Sequence, residues 1–240
     1  MKIIVIGAGA MGCLYGAYLS KHNNVTMLDV YEPQVESINQ NGITVLEEDG
    51  TEQHFSNIRA MKSGTCKEVA DLVIVFVKST HTESSLEENK ELFGENTLVM
   101  TLQNGAGNDR KIAKYVKTEN IIIGTSKHNS VNLGGGKIRH SGNGVTTIGS
   151  NLEENVHLQT VADLLSEAGF QSAVSDDIQR IIWSKLFVNL SINTFTAITE
   201  TPIAYMIENQ YAWDFAEKMI CEAVYVAEAD GTHFSYMEVL

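Results

Sequence analysis

KIIVIGAGAMGCLYGAYL, residues Lys2 to Leu19, decides the fold of this chain. Lys2-Ile3-Ile4-Val5-Ile6 is a short apolar run, β-branched at almost every place, and predicts a strand buried on both faces. Gly7-Ala8-Gly9-Ala10-Met11-Gly12 follows at once, and Ala10 to Lys21 predicts a helix. A G-x-G-x-x-G pattern that leaves a strand and opens a helix signals dinucleotide binding. Gly7 permits the tight turn, Gly9 lets a pyrophosphate approach the backbone, and Gly12 lets the helix pack closely on the strand. Free N–H groups and the positive dipole end of the helix then meet phosphate charge. Gly7, Ala8, Gly9, Ala10, Met11 and Gly12 are therefore candidate cofactor-binding residues.

Asp29 is the matching acid. Val25-Thr26-Met27-Leu28-Asp29-Val30 predicts the second strand, and its acid lies about 20 residues beyond the glycines, where a ribose-binding carboxylate is expected. Such a group accepts hydrogen bonds from a ribose 2′-OH and repels a 2′-phosphate. Val30, Tyr31 and Glu32 follow, with no adjacent arginine to receive that phosphate. Locally this favours NADH over NADPH. The competing reading is an ordinary strand-end aspartate.

The chain has 240 residues, enough for one large domain or two smaller ones, and a soluble globular composition. A formal net charge of −13 argues against a nucleic-acid or anionic-membrane partner. No uninterrupted apolar run reaches the roughly 20 residues that span a bilayer. Cys13, Cys66 and Cys221 are scattered and odd in number, which suits a reducing, cytoplasmic setting rather than a disulfide framework. The seven histidines make no ligand spacing, so no metal is expected.

Beyond Asp29, Pro33 to Asn41 predicts a helix closed by Gly42, and Ile43 to Phe55 a hairpin turning at Asp49-Gly50. Buried strands follow at Asp71–Val77, Thr97–Leu102 and Ile121–Ile123, ending in Lys78, Asn104 and Gly124-Thr125-Ser126. Alternating strand and helix predict an α/β fold, a doubly wound Rossmann-type parallel sheet. Ligands bind such sheets at the carboxyl ends of the strands, where the glycine loop, Asp29, Lys78 and Asn104 all fall. Lys137–His140 and Val145–Ile148 predict two strands around the turn Ser141–Gly144, added antiparallel at the sheet edge. His128 and His140 read best as polar positions on or before edge strands, with nothing nearby to orient either ring. Gln171 to Val174 predicts a last strand. From Asp177 the chain reads as helix, broken between Thr194 and Tyr205. The expected domains are 1–176, which binds the dinucleotide, and 177–240, a smaller all-helical substrate domain that stops short.

Within 177–240, Lys185, Asn189 and Asn193 are spaced i, i+4, i+8 among Ile181, Ile182, Trp183, Leu186, Phe187, Val188, Leu190 and Ile192. On one helix they form a polar stripe with steps of about 6 Å. A helix apolar nearly all round is a buried helix, and buried polar groups need partners. The functional reading turns the stripe toward the interdomain cleft, where partial burial lowers the lysine pKa toward that of a working general acid. The structural reading has the lysine reach past the apolar surface to solvent.

GAGAMG, VFVKST around Lys78, QNGAGN around Asn104, GTSKHNSVNLGGGKIRHSGNGVTTIG and WSKLFVNLSINTFTAIT around Lys185 occur in this order. Together they resemble the ketopantoate reductases (2-dehydropantoate 2-reductases) over essentially the whole chain. W-x-K-L-x-x-N-x-x-x-N-x-x-T-A is the most specific part, and related hydroxyacid dehydrogenases also place a lysine and an asparagine on the first helix of a helical second domain. The resemblance implies an oxidoreductase of pantothenate and coenzyme A biosynthesis with a small ketoacid substrate. Lys185 would protonate the C2 carbonyl oxygen as hydride reaches C2. Asn189 and Asn193 would hold the substrate, and Lys78 and Asn104 would line the nicotinamide and substrate.

Two departures from the family pattern stand out. The family generally uses NADPH and often has an arginine just after the second strand, where this chain has Asp29-Val30-Tyr31. Its members also continue with further helices carrying a substrate-binding serine and glutamate. Here the sequence ends at Leu240, so an incomplete chain, a shortened homologue and a site completed by a second subunit all stay open. A shortened helical domain leaves apolar surface for a partner such as a second copy in a homodimer. Reduction of another 2-ketoacid, and dinucleotide binding without turnover, are the competing functions.

Overall fold

A computed structural model describes Met1 to Val239. The chain opens with β1 (Lys2–Ile6), α1 (Ala10–Leu19), β2 (Asn24–Asp29), α2 (Glu32–Asn41), β3 (Ile43–Leu46), β4 (Glu52–Phe55), β5 (Arg59–Lys62) and β6 (Leu72–Val75). It continues with α3 (Thr82–Glu88), β7 (Leu98–Thr101), α4 (Asn108–Ile112), β8 (Ile121–Ser126), β9 (Asn129–Gly134), β10 (Lys137–Gly142), β11 (Val145–Gly149), α5 (Leu158–Ala168) and β12 (Gln171–Val174). The remainder is helical: α6 (Ile178–Val188), a π-turn (Asn189–Asn193), α7 (Thr194–Thr199), α8 (Ala204–Glu208), α9 (Gln210–Ala229) and α10 (Tyr236–Val239).

Among the described residues, eight strands form one sheet in the order β12-β11-β8-β7-β6-β1-β2-β5. From β5 to β8 every pairing is parallel. β11 joins β8 antiparallel, and β12 lies parallel to β11. β1 pairs β2 on one side and β6 on the other, with Ile3 opposite both Val25 and Leu72. Helices cover both faces of a doubly wound sheet, so a central strand cannot alternate. Ile3 to Ile6 accordingly all lie in the core. The strand order reverses beside β1, the topological switch point where open α/β sheets take ligands.

The Asp49-Gly50 hairpin forms as read, with β3 antiparallel to β4 and Gly50 left-handed. It belongs to a second sheet, ordered β4-β3-β10-β9, which packs on α1. Here the expectation for Lys137–Ile148 fails. β10 and β11 do not pair with each other. β10 turns back on β9 through Gly134–Gly136 and runs parallel to β3, whereas β11 enters the main sheet between β8 and β12. Ser141 and Gly142 thus belong to β10, and the chain crosses between the sheets at Asn143-Gly144. The burial pattern explains the error: β9 is almost wholly exposed, and its apolar residues, Val131 and Leu133, make too short an alternation to mark a strand.

The two histidines also correct the reading. β10 is an inner strand, and His128 and His140 are 5% and 6% exposed. His128 Nδ1 and His140 Nε2 are 3.0 Å apart, and His140 Nδ1 lies 2.9 Å from Glu47 Oε2. Glu47 accepts from the Tyr18 hydroxyl, and Gln53 Nε2 donates to both. Both rings are therefore oriented, by one another and by an acid. Burial and the neighbouring ring push the His128 pKa down to about 4.

Two compact units result: Met1–Gln103 with Gly107–Ile178, and Asn104–Ala106 with the residues from Gln179 onward. In the helical unit Trp183 and Phe187 of α6 pack with Ala223 and Ala227 of α9 and with Phe234. Helix continues through α7, and the break expected between Thr194 and Tyr205 falls at Glu200–Ile203, where Glu200 is left-handed (φ 54°) and Pro202 follows. The helix is also less enclosed than its composition implies, with Val188 49% and Ile198 77% exposed. The run Ile178–Thr199 has 22 residues, enough by length and apolar composition alone to cross a bilayer, a test that core helices of soluble proteins also pass.

Candidate functional site

The first cluster is built around the turn from β1 into α1. Gly7 has φ 103°, and a Cβ there would stand 2.9 Å from Val77 N, so both conformation and space demand glycine. A Cβ on Gly12 would stand 1.9 Å from Gly7 O, which fixes how closely α1 meets the loop. A Cβ on Gly9 would meet nothing within 4 Å. The one open glycine is thus the one at the helix N-cap. Cys13 N–H is the first to bond within α1, to Gly9 O at 2.8 Å, so the N–H groups of Ala10, Met11 and Gly12 have no partner inside the helix. No acidic residue occupies the first turn of α1 to offset its positive end. Space, donors and charge all fit a phosphate.

Asp29, at the end of β2, is drawn to the same loop. Its Oδ2 accepts from Ala8 N–H at 2.7 Å and its Oδ1 from Tyr31 N–H at 2.9 Å. Gln34, which the sequence reading passed over, braces the loop from α2. It is buried, and its Nε2 donates to Ala8 O at 3.0 Å. A glutamine in the first turn of a helix gives little signal, because its burial depends on the neighbouring loop. Ala8, Gly9, Asp29, Tyr31, Pro33 and Gln34 line a cavity of about 390 Å³, joined by residues of the β9–β10 turn.

Lys78 follows β6 and is exposed at the start of a short 3-10 turn, Ser79–His81. A second unforeseen residue holds this loop. Gln103 Nε2 donates to Val77 O at 2.5 Å, while its Oε1 accepts from Thr101 Oγ1 at 2.9 Å. Asn104, one residue further on, is exposed and belongs with Gly105 and Ala106 to the helical unit. Ala106 packs against the Trp183–Phe187 cluster there.

Lys185 is half-buried on α6, and burial holds its pKa below the usual lysine range. The expected stripe is not carried by one regular helix. Asn189 to Asn193 forms a π-turn, closed by Thr194 N–H on Asn189 O. Turns of this kind recur at functional sites, and here an asparagine stands at each end. Asn193 Nδ2 donates to Asn189 Oδ1 at 2.9 Å, so the two amides remain together on one face.

The family Ketopantoate reductase PanE/ApbA matches residues 3–153, and its C-terminal family matches residues 177–239. The chain belongs to the ketopantoate reductase family. It is thereby an NAD(P)H-dependent oxidoreductase. Among ketopantoate reductase relatives, a 2-dehydropantoate 2-reductase of Halobacterium salinarum is 32% identical over 98% of this chain and 78% of its own length. One from Streptococcus pyogenes is 30% identical over 100% of this chain and 78% of its own. A D-mandelate dehydrogenase solved with NADH and anilino(oxo)acetate superposes with TM-score 0.91 at 28% identity, over 100% of this chain and 77% of that one. A 2-dehydropantoate 2-reductase from Geobacter metallireducens gives 0.89 at 26% identity, over 100% and 80%.

Proposed function

We propose that this chain reduces ketopantoate to pantoate, with residues 1–176 holding the dinucleotide and 177–240 serving the substrate. The observation that carries the reading is the half-buried Lys185 on a helix whose π-turn presents Asn189 and Asn193 side by side. Family membership supports the substrate, and a biosynthetic reaction of this kind fits a cytoplasmic setting. The loop Gly7–Gly12 would hold the pyrophosphate at the α1 N-terminus and Asp29 the adenosine ribose. A bound reduced nicotinamide supplies the hydride to C2 of the ketoacid.

Lys185 gives its proton to the carbonyl oxygen as negative charge develops there. A lowered pKa makes the ammonium a stronger acid, so the proton leaves more readily in the transition state. Asn189 and Asn193 offer amide donors and acceptors to the substrate's hydroxyl and carbonyl groups. Lys78 and Asn104 line the nicotinamide and substrate, and the Lys78 cation suits a ketoacid carboxylate.

For the cofactor we propose a preference for NADH. Asp29 sets a negative charge beside the loop, and Tyr31 N–H and Ala8 N–H hold that carboxylate in place. Asp29→Ala is expected to weaken NADH binding more than NADPH binding, and equal binding of both before and after would refute the assignment. The D-mandelate dehydrogenase neighbour supports a second reading, reduction of another 2-ketoacid. Relative kcat/KM for ketopantoate and an aromatic 2-ketoacid, with pantoate identified as product, separates the two. Exposed Ile203, Ile207 and Tyr211 on the helical unit support a homodimer, which light scattering would reveal.

A further inference from the structure

The β9–β10 turn reaches the cofactor loop from the second sheet. Asn132, Gly134 and Gly135 line the same 390 Å³ cavity as Gly9, Asp29 and Tyr31. Gly134, Gly135 and Gly136 are all left-handed, with φ 85°, 60° and 73°. Only the last is fully accounted for by packing. Its Cβ would stand 2.6 Å from Gly42 O, and its carbonyl accepts from Thr44 N–H of β3 at 3.0 Å. A Cβ on Gly134 would meet nothing within 4 Å, and one on Gly135 only Ser37 Oγ at 3.5 Å. Both are exposed, so they give the cavity a wall free of side chains. Asn132 Oδ1 accepts from Gly134 N–H at 2.8 Å, which fixes the carboxamide and leaves its Nδ2 donors turned away from that bond.

Given the dinucleotide reading above, we infer that the end of β9 and the turn that follows it, Asn132–Gly135, form the second wall of the adenosine subsite. Its bare glycines lie against the adenosine, and the Asn132 amide meets the ribose across from Asp29. Asn132 is then a specificity-determining residue. A neutral amide beside Asp29 gives a 2′-phosphate no cation, which reinforces the choice of NADH, whereas an arginine at this position would supply one without disturbing the glycine loop.

Fluorescence titration of the full chain with NADH and NADPH, and calorimetry with ADP-ribose and nicotinamide mononucleotide, test this inference. Asn132→Ala should weaken NADH and ADP-ribose about tenfold, the scale of one lost hydrogen bond. Nicotinamide mononucleotide binding should stay unchanged. Asn132→Arg should raise NADPH affinity relative to NADH by about tenfold or more, a gain that no merely misfolded variant can show. Unchanged affinities in both variants would overturn the inference while leaving the cofactor reading intact. Failure of the unaltered chain to bind any dinucleotide would overturn both.

Discussion

Asn193 Nδ2 donates to Asn189 Oδ1 across 2.9 Å, spanning the π-turn that follows Lys185. A wider turn costs regular hydrogen bonding, and this one places two amides in mutual contact. The pairing ties the orientation of one side chain to the other. Asn189→Ala should therefore raise the ketoacid KM about tenfold, with the cofactor KM unchanged, and Asn193→Ala should act in the same direction. Steady-state kinetics with each substrate varied in turn would read the split. A change confined to the cofactor KM would remove both residues from the substrate.

Lys185 supplies the proton in this account, so Lys185→Ala should lower kcat by about 10²–10⁴ and leave NADH affinity unchanged. The pH profile gives an independent check. Catalysis needs the protonated lysine, and burial lowers its pKa. The rate should thus fall on the alkaline side, at a pH below the usual lysine range. A profile flat through that region would assign the proton to another group.

Gly9 and Gly12 should answer to substitution in opposite ways. Gly12→Ala puts a methyl group 1.9 Å from Gly7 O, and such overpacking costs about 1–3 kcal/mol of stability. Gly9→Ala puts its methyl group in open space, so the urea midpoint should move far less than in Gly12→Ala while dinucleotide affinity drops. Equal destabilisation by both would mean that the space at Gly9 serves packing and not a ligand.

His128, buried against the His140 ring, gives the fold an acid limit. The folded-state pKa of His128 is depressed to about 4, against an unfolded value of about 6.5. Between those values the unfolded chain binds more protons, so stability rises with pH and is complete above about 6.5. On acidification it is lost progressively toward pH 4. Thermal melts from pH 7 to 4 should show the loss, and His128→Phe should flatten it. An unaltered slope in that variant would place the titration elsewhere.

How much of this was legible depended on whether a residue's surroundings were local. β1, the glycine loop and Asp29 declare themselves because strand, turn and helix follow one another within a few residues. The parallel sheet follows from buried runs such as Leu72–Val75, whose two-sided burial leaves a continuous apolar stretch. Gln34 and Gln103 carried no such signal, since each is defined by a carbonyl brought to it by the fold. β9 stayed hidden because its residues face solvent, and with it the partner of β10. The π-turn was invisible as well: the i, i+4, i+8 spacing of Lys185, Asn189 and Asn193 suits a regular helix, and no residue type announces the extra one.

The most direct measurement is the loss of reduced-nicotinamide absorbance at about 340 nm when purified protein meets ketopantoate, with NADH and NADPH compared. The account predicts oxidation, faster with NADH at limiting cofactor, and its abolition in Lys185→Ala. Tight dinucleotide binding with no oxidation of either cofactor by ketopantoate would contradict it.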